Sequence, residues 1–204
     1  MTQGCLYLIS APSGAGKTSL VRALMQRMPQ LRFSISYTTR KRRETEVHER
    51  DYFFVDKPTF QNMIENGEFL EHAQVFDNFY GTSKQQVQQL LDAGQNVLLE
   101  IDWQGAQQIR KAAPEVESIF ILPPSRAELE RRLRDRKTDS EEVIARRLRD
   151  SIADMSHWNE FDYVVVNRDF DRAVGDLESI VNGNGSLLRR DRAELKTLID
   201  VLLG

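Results

Sequence analysis

Apolar residues along the chain follow two rhythms, and the switch between them divides it. Residues 6–10 form a short apolar run with β-branched content, the pattern of a buried strand. Leu20, Val21, Leu24, Met25 and Met28 then recur at helical spacing, and Pro29 ends the pattern. Further apolar runs at residues 96–101, 118–122 and 163–167 alternate with helical patterns. Continuous apolar strands alternating with helices predict an α/β fold, a parallel sheet covered on both faces.

Two stretches break that rhythm. Residues 32–83 hold alternating segments around Phe33 to Tyr37, Tyr52 to Val55 and Phe69 to Phe76, which predict strands with one wet face in a small mixed or antiparallel inserted sheet. A helix near Pro58 to Asn66 carries Phe60, Met63 and Ile64, and Gly67 stops it. Residues 126–156 read as an arginine-dense helical hairpin, a solvated arm or a mobile lid, with a capping box at Thr138 to Glu141. A last amphipathic helix is expected to bury Leu187, Leu188, Leu195, Leu198, Ile199 and Leu202. The expected organisation is core at 1–33 and 84–125, an insertion at 34–83, a lid at 126–156, and core with a C-terminal helix at 157–204.

Composition narrows the class. At 204 residues, 40% hydrophobic and 29% charged, the chain fits one globular core with inserted segments. A net charge of −3 argues against general nucleic-acid binding. No apolar run reaches the ~20 residues of a membrane span, no leader pattern opens the chain, and a cytoplasmic protein is the default. The single cysteine, Cys5, is expected as a buried, inert thiol at the start of a core strand. His48, His72 and His157 lack metal-ligand spacing, and Trp103 and Trp158 are expected in core or interdomain packing.

The strongest chemical signal is Gly14-Ala15-Gly16-Lys17-Thr18, placed after a strand and opening a helix. Glycines let backbone N–H groups turn around phosphate oxygens, and the helix start adds its positive end. In such a P-loop Lys17 reaches the β- and γ-phosphates and the Thr18 hydroxyl ligates Mg²⁺. The full pattern wants glycine at position 11, where this chain has Ala11; a methyl group fits there if φ is negative. These residues predict triphosphate binding and leave the reaction open.

Further motifs carry a resemblance. Ser34 to Arg40, then Arg43, Glu46-Val47 and Asp51 to Val55, then Phe69-Leu70-Glu71, Phe79 to Ser83 and Glu100 to Gly105, then Ile119 to Pro124 and Val164 to Asn167, resemble the guanylate kinase family over residues 4–180. The resemblance implies a P-loop nucleoside monophosphate kinase that moves the terminal phosphoryl group of ATP to GMP, and to dGMP. It assigns the donor nucleotide to Ser13, Gly14, Ala15, Gly16, Lys17, Thr18, Ser19 and Asn167, with Arg168 near adenine. It assigns the acceptor phosphate to Arg40, Arg43, Tyr52 and Tyr80, and guanine to Ser36, Glu71, Thr82 and Asp102. Lys17, Arg132, Arg136 and Arg147 are the implied catalytic cations, whereas Arg126, Arg131, Arg134, Arg146 and Arg149 read as a solvated face. Mg²⁺ is implied at Thr18 and, through water, at Glu100, where the family usually has Asp. No general base is required, because a phosphate oxygen is already a nucleophile; the site must align two polyanions and neutralise charge. Closure over both substrates is expected, to exclude water.

The main departures lie in the loop from Arg40 to Arg50. The family pattern prefers Pro at position 42 and Gly at positions 45 and 49, where this chain has Arg42, Thr45 and Glu49. Losing a fixed turn and two permissive residues predicts a looser loop. Two alternatives are a non-catalytic scaffold of the same shape and a kinase acting on a ribose bisphosphate. The first would have lost Lys17 and the hairpin arginines, and the second would not need Ser36, Glu71, Thr82 and Asp102. Partners beyond the small-molecule substrates are not indicated, although the last helix could serve a homo-oligomer.

Overall fold

A computed structural model describes residues 3–75, 77–135 and 140–204. The fold is α/β, as the strand pattern requires. Five strands form one parallel sheet in the order β2-β7-β1-β8-β9: β1 Leu6–Ser10, β2 Arg32–Phe33, β7 Val97–Glu100, β8 Glu117–Leu122 and β9 Tyr163–Val166. Four more form a mixed sheet in the order β4-β3-β6-β5: β3 Tyr37–Thr38, β4 Phe53–Phe54, β5 Phe69–Val75 and β6 Asn78–Ser83. Eight α-helices accompany them in the described residues: α1 Lys17–Arg27, α2 Lys57–Glu65, α3 Lys84–Asp92, α4 Trp103–Ala112, α5 Arg126–Arg134, α6 Glu141–Met155, α7 Phe170–Val181 and α8 Glu194–Leu203.

The chain divides into two compact units, Met1–Leu8 with Pro29–Glu117, and Ile9–Met28 with Ser118–Gly204. In the first, Phe33 belongs to the core sheet, paired with Leu98, and does not open the inserted sheet. The inserted sheet is mixed because β3 pairs with β4 in parallel but with β6 antiparallel. Phe60, fully buried from α2, stacks on Phe69 and Phe79 to give that sheet an aromatic core. Asp56 caps α2 by accepting from the Thr59 N–H, and Gly67 ends it at φ 67°. Helix α4 docks on β5 through Gln108, whose side chain pairs with both backbone groups of His72.

In the second unit the apolar runs of β8 and β9 are buried almost throughout, in parallel register from Ile119↔Tyr163 to Leu122↔Val166. The helical hairpin is not a solvated arm. Leu129 and Leu133 of α5, and Ile144, Ser151 and Met155 of α6, are buried, so a polar composition conceals a narrow apolar seam. Helix α6 starts at Glu141 with Ser140 as its cap; Thr138 and Asp139 of the expected capping box lie outside the described residues.

Several burial expectations change. Cys5 is exposed, because the strand begins one residue later and Cys5 only lends its backbone to Asn96 and Val97. Trp103 and Trp158 are half-buried, outside the core. Leu187 is 85% exposed, since it sits in a separate 3₁₀ turn, Ser186–Leu188, ahead of α8. Leu195, Leu198, Ile199 and Leu202 are buried as expected. Among the described residues no helix is long and apolar enough to cross a membrane.

Candidate active site

The residues expected to bind the donor, Ser13 to Ser19 with Asn167, lie in the second unit. After β1 the chain turns through Pro12 to Gly16, closed by Ala15 N–H donating to the Pro12 carbonyl, and Gly16 at φ 97° starts α1. No side chain caps α1, nor α8, whereas α2 to α7 are each capped by an Asp or Ser. Gly14 and Gly16 both have positive φ, and Ala11 does not, so the alanine is accommodated as anticipated. A Cβ on Gly16 would stand 2.5 Å from Nδ2 of Asn167, and one on Gly14 would stand 3.0 Å from Leu129 and Leu133. Both glycines are therefore needed twice, for φ and for close approach. Lys17 is half-buried at the first helical position, and Thr18 and Ser19 are exposed beside it.

Asn167 is buried, and its side-chain amide donates to the Ala15 carbonyl at 2.8 Å. It braces the P-loop backbone in this structure, a role the sequence did not suggest. Arg132 joins it: Nε donates to Glu128 Oε1 at 2.7 Å, Nη1 to the Ala15 carbonyl at 3.2 Å, and Nη2 to the Asn167 carbonyl at 3.1 Å. Hydrogen bonds from Arg131 and Arg132 hold the Glu128 carboxyl down at about 2. Arg147 is half-buried on α6, and Arg136 lies outside the described residues. Arg131 pairs with Asp135 and Arg134 with Glu130 and Glu141, both on the surface as expected. Arg126 differs: Nε donates to the Leu202 carbonyl at 2.7 Å, fastening α5 to the end of α8.

The residues expected to bind the acceptor lie in the first unit. Glu71 and Thr82 face each other across β5 and β6, just after a bulge between Phe69 and Glu71 that re-aims the strand. Both are buried, and the Thr82 hydroxyl donates to Glu71 Oε1 at 2.6 Å. A hydroxyl has one proton, so Thr82 in this state orients Glu71 and does not present a donor to a base. Asp102 caps α4 by accepting from the Gly105 N–H at 2.7 Å, and Glu71 Oε2 packs against the same glycine. Ser36, at 9% exposure, lies one residue before β3.

Beside this cluster Arg40 donates Nη2 to Glu46 Oε1 at 2.7 Å, and its guanidinium lies over the rings of Tyr52 and Phe54. Glu46 Oε2 accepts the Arg43 backbone N–H at 2.8 Å, leaving the Arg43 side chain 65% exposed. Burial opposes ionisation of Glu46, yet the hydrogen bonds from Arg40 and Arg43 hold its carboxyl below the usual range. Burial, reinforced by Glu100 and Tyr80, pushes the Tyr52 phenol up to about 12. Tyr52 is therefore a protonated donor at neutral pH, and it meets Tyr80 edge to face.

In the departing loop the missing proline and glycines have substitutes. Val47 N–H donates to Asp51 Oδ2, Asp51 N–H to the Val47 carbonyl and Phe54 N–H to His48 Nδ1. Glu49 takes φ 65°, the one non-glycine with positive φ among the described residues. Glu46, which the sequence marks only as part of a motif, bonds both the Arg40 side chain and the Arg43 backbone.

A guanylate kinase family model matches residues 3–184 of this chain. The guanylate kinase of Methylococcus capsulatus is 54% identical over 204 residues, covering all of both chains. That of Escherichia coli is 52% identical over 205 residues, covering 100% of this chain and 99% of its own. The crystal structure of guanylate kinase from Anaplasma phagocytophilum superposes with a TM-score of 0.76 at 32% identity, covering 98% of this chain and 95% of that one.

Proposed function

The chain belongs to the guanylate kinase family and is a nucleoside monophosphate kinase, an ATP:GMP phosphotransferase; we propose that it transfers the γ-phosphoryl group directly and reversibly in line, and that it accepts dGMP as well as GMP. The observation that carries the acceptor is the buried Glu71 carboxylate, pre-oriented by Thr82. A carboxylate there accepts from guanine N1–H and the 2-amino group, two donors that adenine does not offer. AMP would bury Glu71 against a base edge that offers it no donor there, and rejection follows from that cost. Ser36 then supplies the donor to guanine O6.

Arg40, Arg43 and the phenols of Tyr52 and Tyr80 receive the acceptor phosphate. Its oxygen attacks without a general base, and charge is carried by Lys17, Arg132 and Arg147, with Arg136 in the same proposed role. Arg132 is held against the P-loop backbone by Glu128 and the carbonyls of Ala15 and Asn167, and in this reading its guanidinium turns from those carbonyls to the donor phosphates for transfer. The Thr18 hydroxyl and the Glu100 carboxylate are hard oxygen donors and fit Mg²⁺ carried with ATP. That ion would neutralise the β- and γ-phosphates. In this reading residues 34–83 bind GMP, 126–156 cover the donor, and the remainder is core.

A coupled assay comparing GMP, dGMP, AMP and a ribose bisphosphate tests the proposal. ADP should form with GMP and dGMP only. Absence of ADP formation with GMP refutes it, and activity with AMP refutes the role of Glu71.

A further inference from the structure

The P-loop has a reverse side. A trans peptide unit is planar, so an N–H aimed at a phosphate sends the carbonyl of the preceding residue the opposite way. The peptide units that present the Gly14 and Gly16 N–H groups carry the carbonyls of Ser13 and Ala15. Those carbonyls need partners when they are turned into protein. Ala15 has Asn167 and Arg132. The Ser13 carbonyl accepts from the Ser151 hydroxyl at 3.0 Å.

Ser151 lies on α6, 138 positions along the chain from its partner and at 0% exposure. Alanine would be the better helix former and would suit an apolar seam, so a serine needs a reason at this position. It also stands one turn after Arg147, on the same face of the helix. We propose that Ser151 is a positioning residue for the donor site. Its hydroxyl fixes the Ser13–Gly14 peptide, and with it the direction of the Gly14 N–H toward the triphosphate. The same bond ties the helix that carries Arg147 to the loop that holds the phosphates. The inference rests on residues 13–18 being the triphosphate site.

Calorimetric titration with MgATP, together with initial rates, on Ser151→Ala and Ser151→Cys tests this. Both variants keep the helix and remove a strong hydroxyl donor. Kd and KM for ATP should rise about three- to tenfold, the loss of one neutral hydrogen bond. KM for GMP should stay at the parent value, because the acceptor residues are untouched. A merely structural serine would lower the melting temperature and leave the two KM values unmoved or moving together. An unchanged Kd for ATP in both variants, or an equal rise in both KM values, overturns the inference. Failure of the unaltered chain to bind ATP would instead overturn the P-loop reading.

Discussion

Gly105→Ala places the reasoning about the guanine site under direct strain. Gly105 lies in the first turn of α4 with no positive φ, and exchanging glycine for alanine inside a helix ordinarily stabilises by about 0.5–1 kcal/mol. Here the added Cβ would stand 2.5 Å from Glu71 Oε2 and 3.0 Å from its carboxyl carbon. Moving from 2.5 Å to the 3.4 Å of ordinary contact requires a retreat of about 0.9 Å. Glu71 cannot retreat freely, because it is 4% exposed and its other oxygen is held by Thr82 at 2.6 Å. The Cβ would stand 3.4 Å from Asp102 Oδ1, an ordinary contact, so the strain falls on Glu71. Misaligning hydrogen bonds to a charged group costs about 1.5–3 kcal/mol, which corresponds to a rise in KM for GMP of about 10- to 150-fold. KM for ATP should not change. A coupled assay at varied GMP, run beside thermal unfolding, separates the effects: acceptor affinity is lost, while the melting temperature falls only by the strain that the helix gain does not offset. A KM for GMP within the parent's error would refute the placement of Glu71 against the base.

Four other substitutions address separate parts of the site. Glu46→Gln keeps the shape but removes the charge that holds Arg40, and should raise KM for GMP about tenfold with KM for ATP unchanged; equal effects on both substrates would contradict the clamp. Because the Glu46 carboxyl is held below its usual range, its stabilising contribution is present above the unfolded carboxylate pKa and is lost as pH falls through the folded value. Parent and Glu46→Gln stability should therefore converge at acid pH, and a gap that widens there would reverse the sign of the argument. Arg132→Lys cannot reach three acceptors with a single ammonium, and should lower kcat by about 10²–10³ with a smaller change in KM; a change confined to KM would place Arg132 outside the transfer step. Glu49→Gly should leave stability unchanged or raise it by up to about 1 kcal/mol, because relief of positive φ offsets the added freedom of the unfolded chain. Thr45→Gly, which has no positive φ to relieve, should lower stability by about 0.5–1 kcal/mol, and chemical denaturation of the pair checks the contrast.

The core was legible because its determinants are local. A strand buried on both faces must be apolar throughout, and β1, β7, β8 and β9 each read that way from the residues alone. Phe33 falls inside the expected core at 1–33, although the alternating pattern that begins with it points to the inserted sheet; a two-residue strand offers no period to read, and its pairing with Leu98 identifies its sheet. The arginine-dominated composition of 126–156 suits a solvated arm as well as a lid, and hides its buried side. A seam of Leu129, Leu133 and Ile144 is enough to bury one side of each helix while the other stays charged. Cys5 failed for a smaller reason: strand ends are uncertain by a residue, and the first residue outside a strand is often wet.

Side-chain bonds to the main chain are invisible in sequence, and they supply what motif reading missed. Asn167, Arg132 and Ser151 meet carbonyls, and every residue type carries a carbonyl, so no pattern marks the partner. The loop from Arg40 to Arg50 shows the complementary case. The resemblance marks positions 45 and 49 alike as glycine sites, yet only Glu49 adopts a conformation for which glycine is physically favoured. A glycine preference at position 45 therefore has no backbone cause in this chain. At position 49 the turn is retained with a residue that strains it, held by Asp51, His48 and the Glu49 N–H bond to the Tyr52 carbonyl. Those bonds do the work that the absent proline and glycines would do, and they deliver Glu46 to Arg40 and Arg43. What the acceptor site requires of this loop is thus the position of one carboxylate, and different loop sequences can satisfy that requirement.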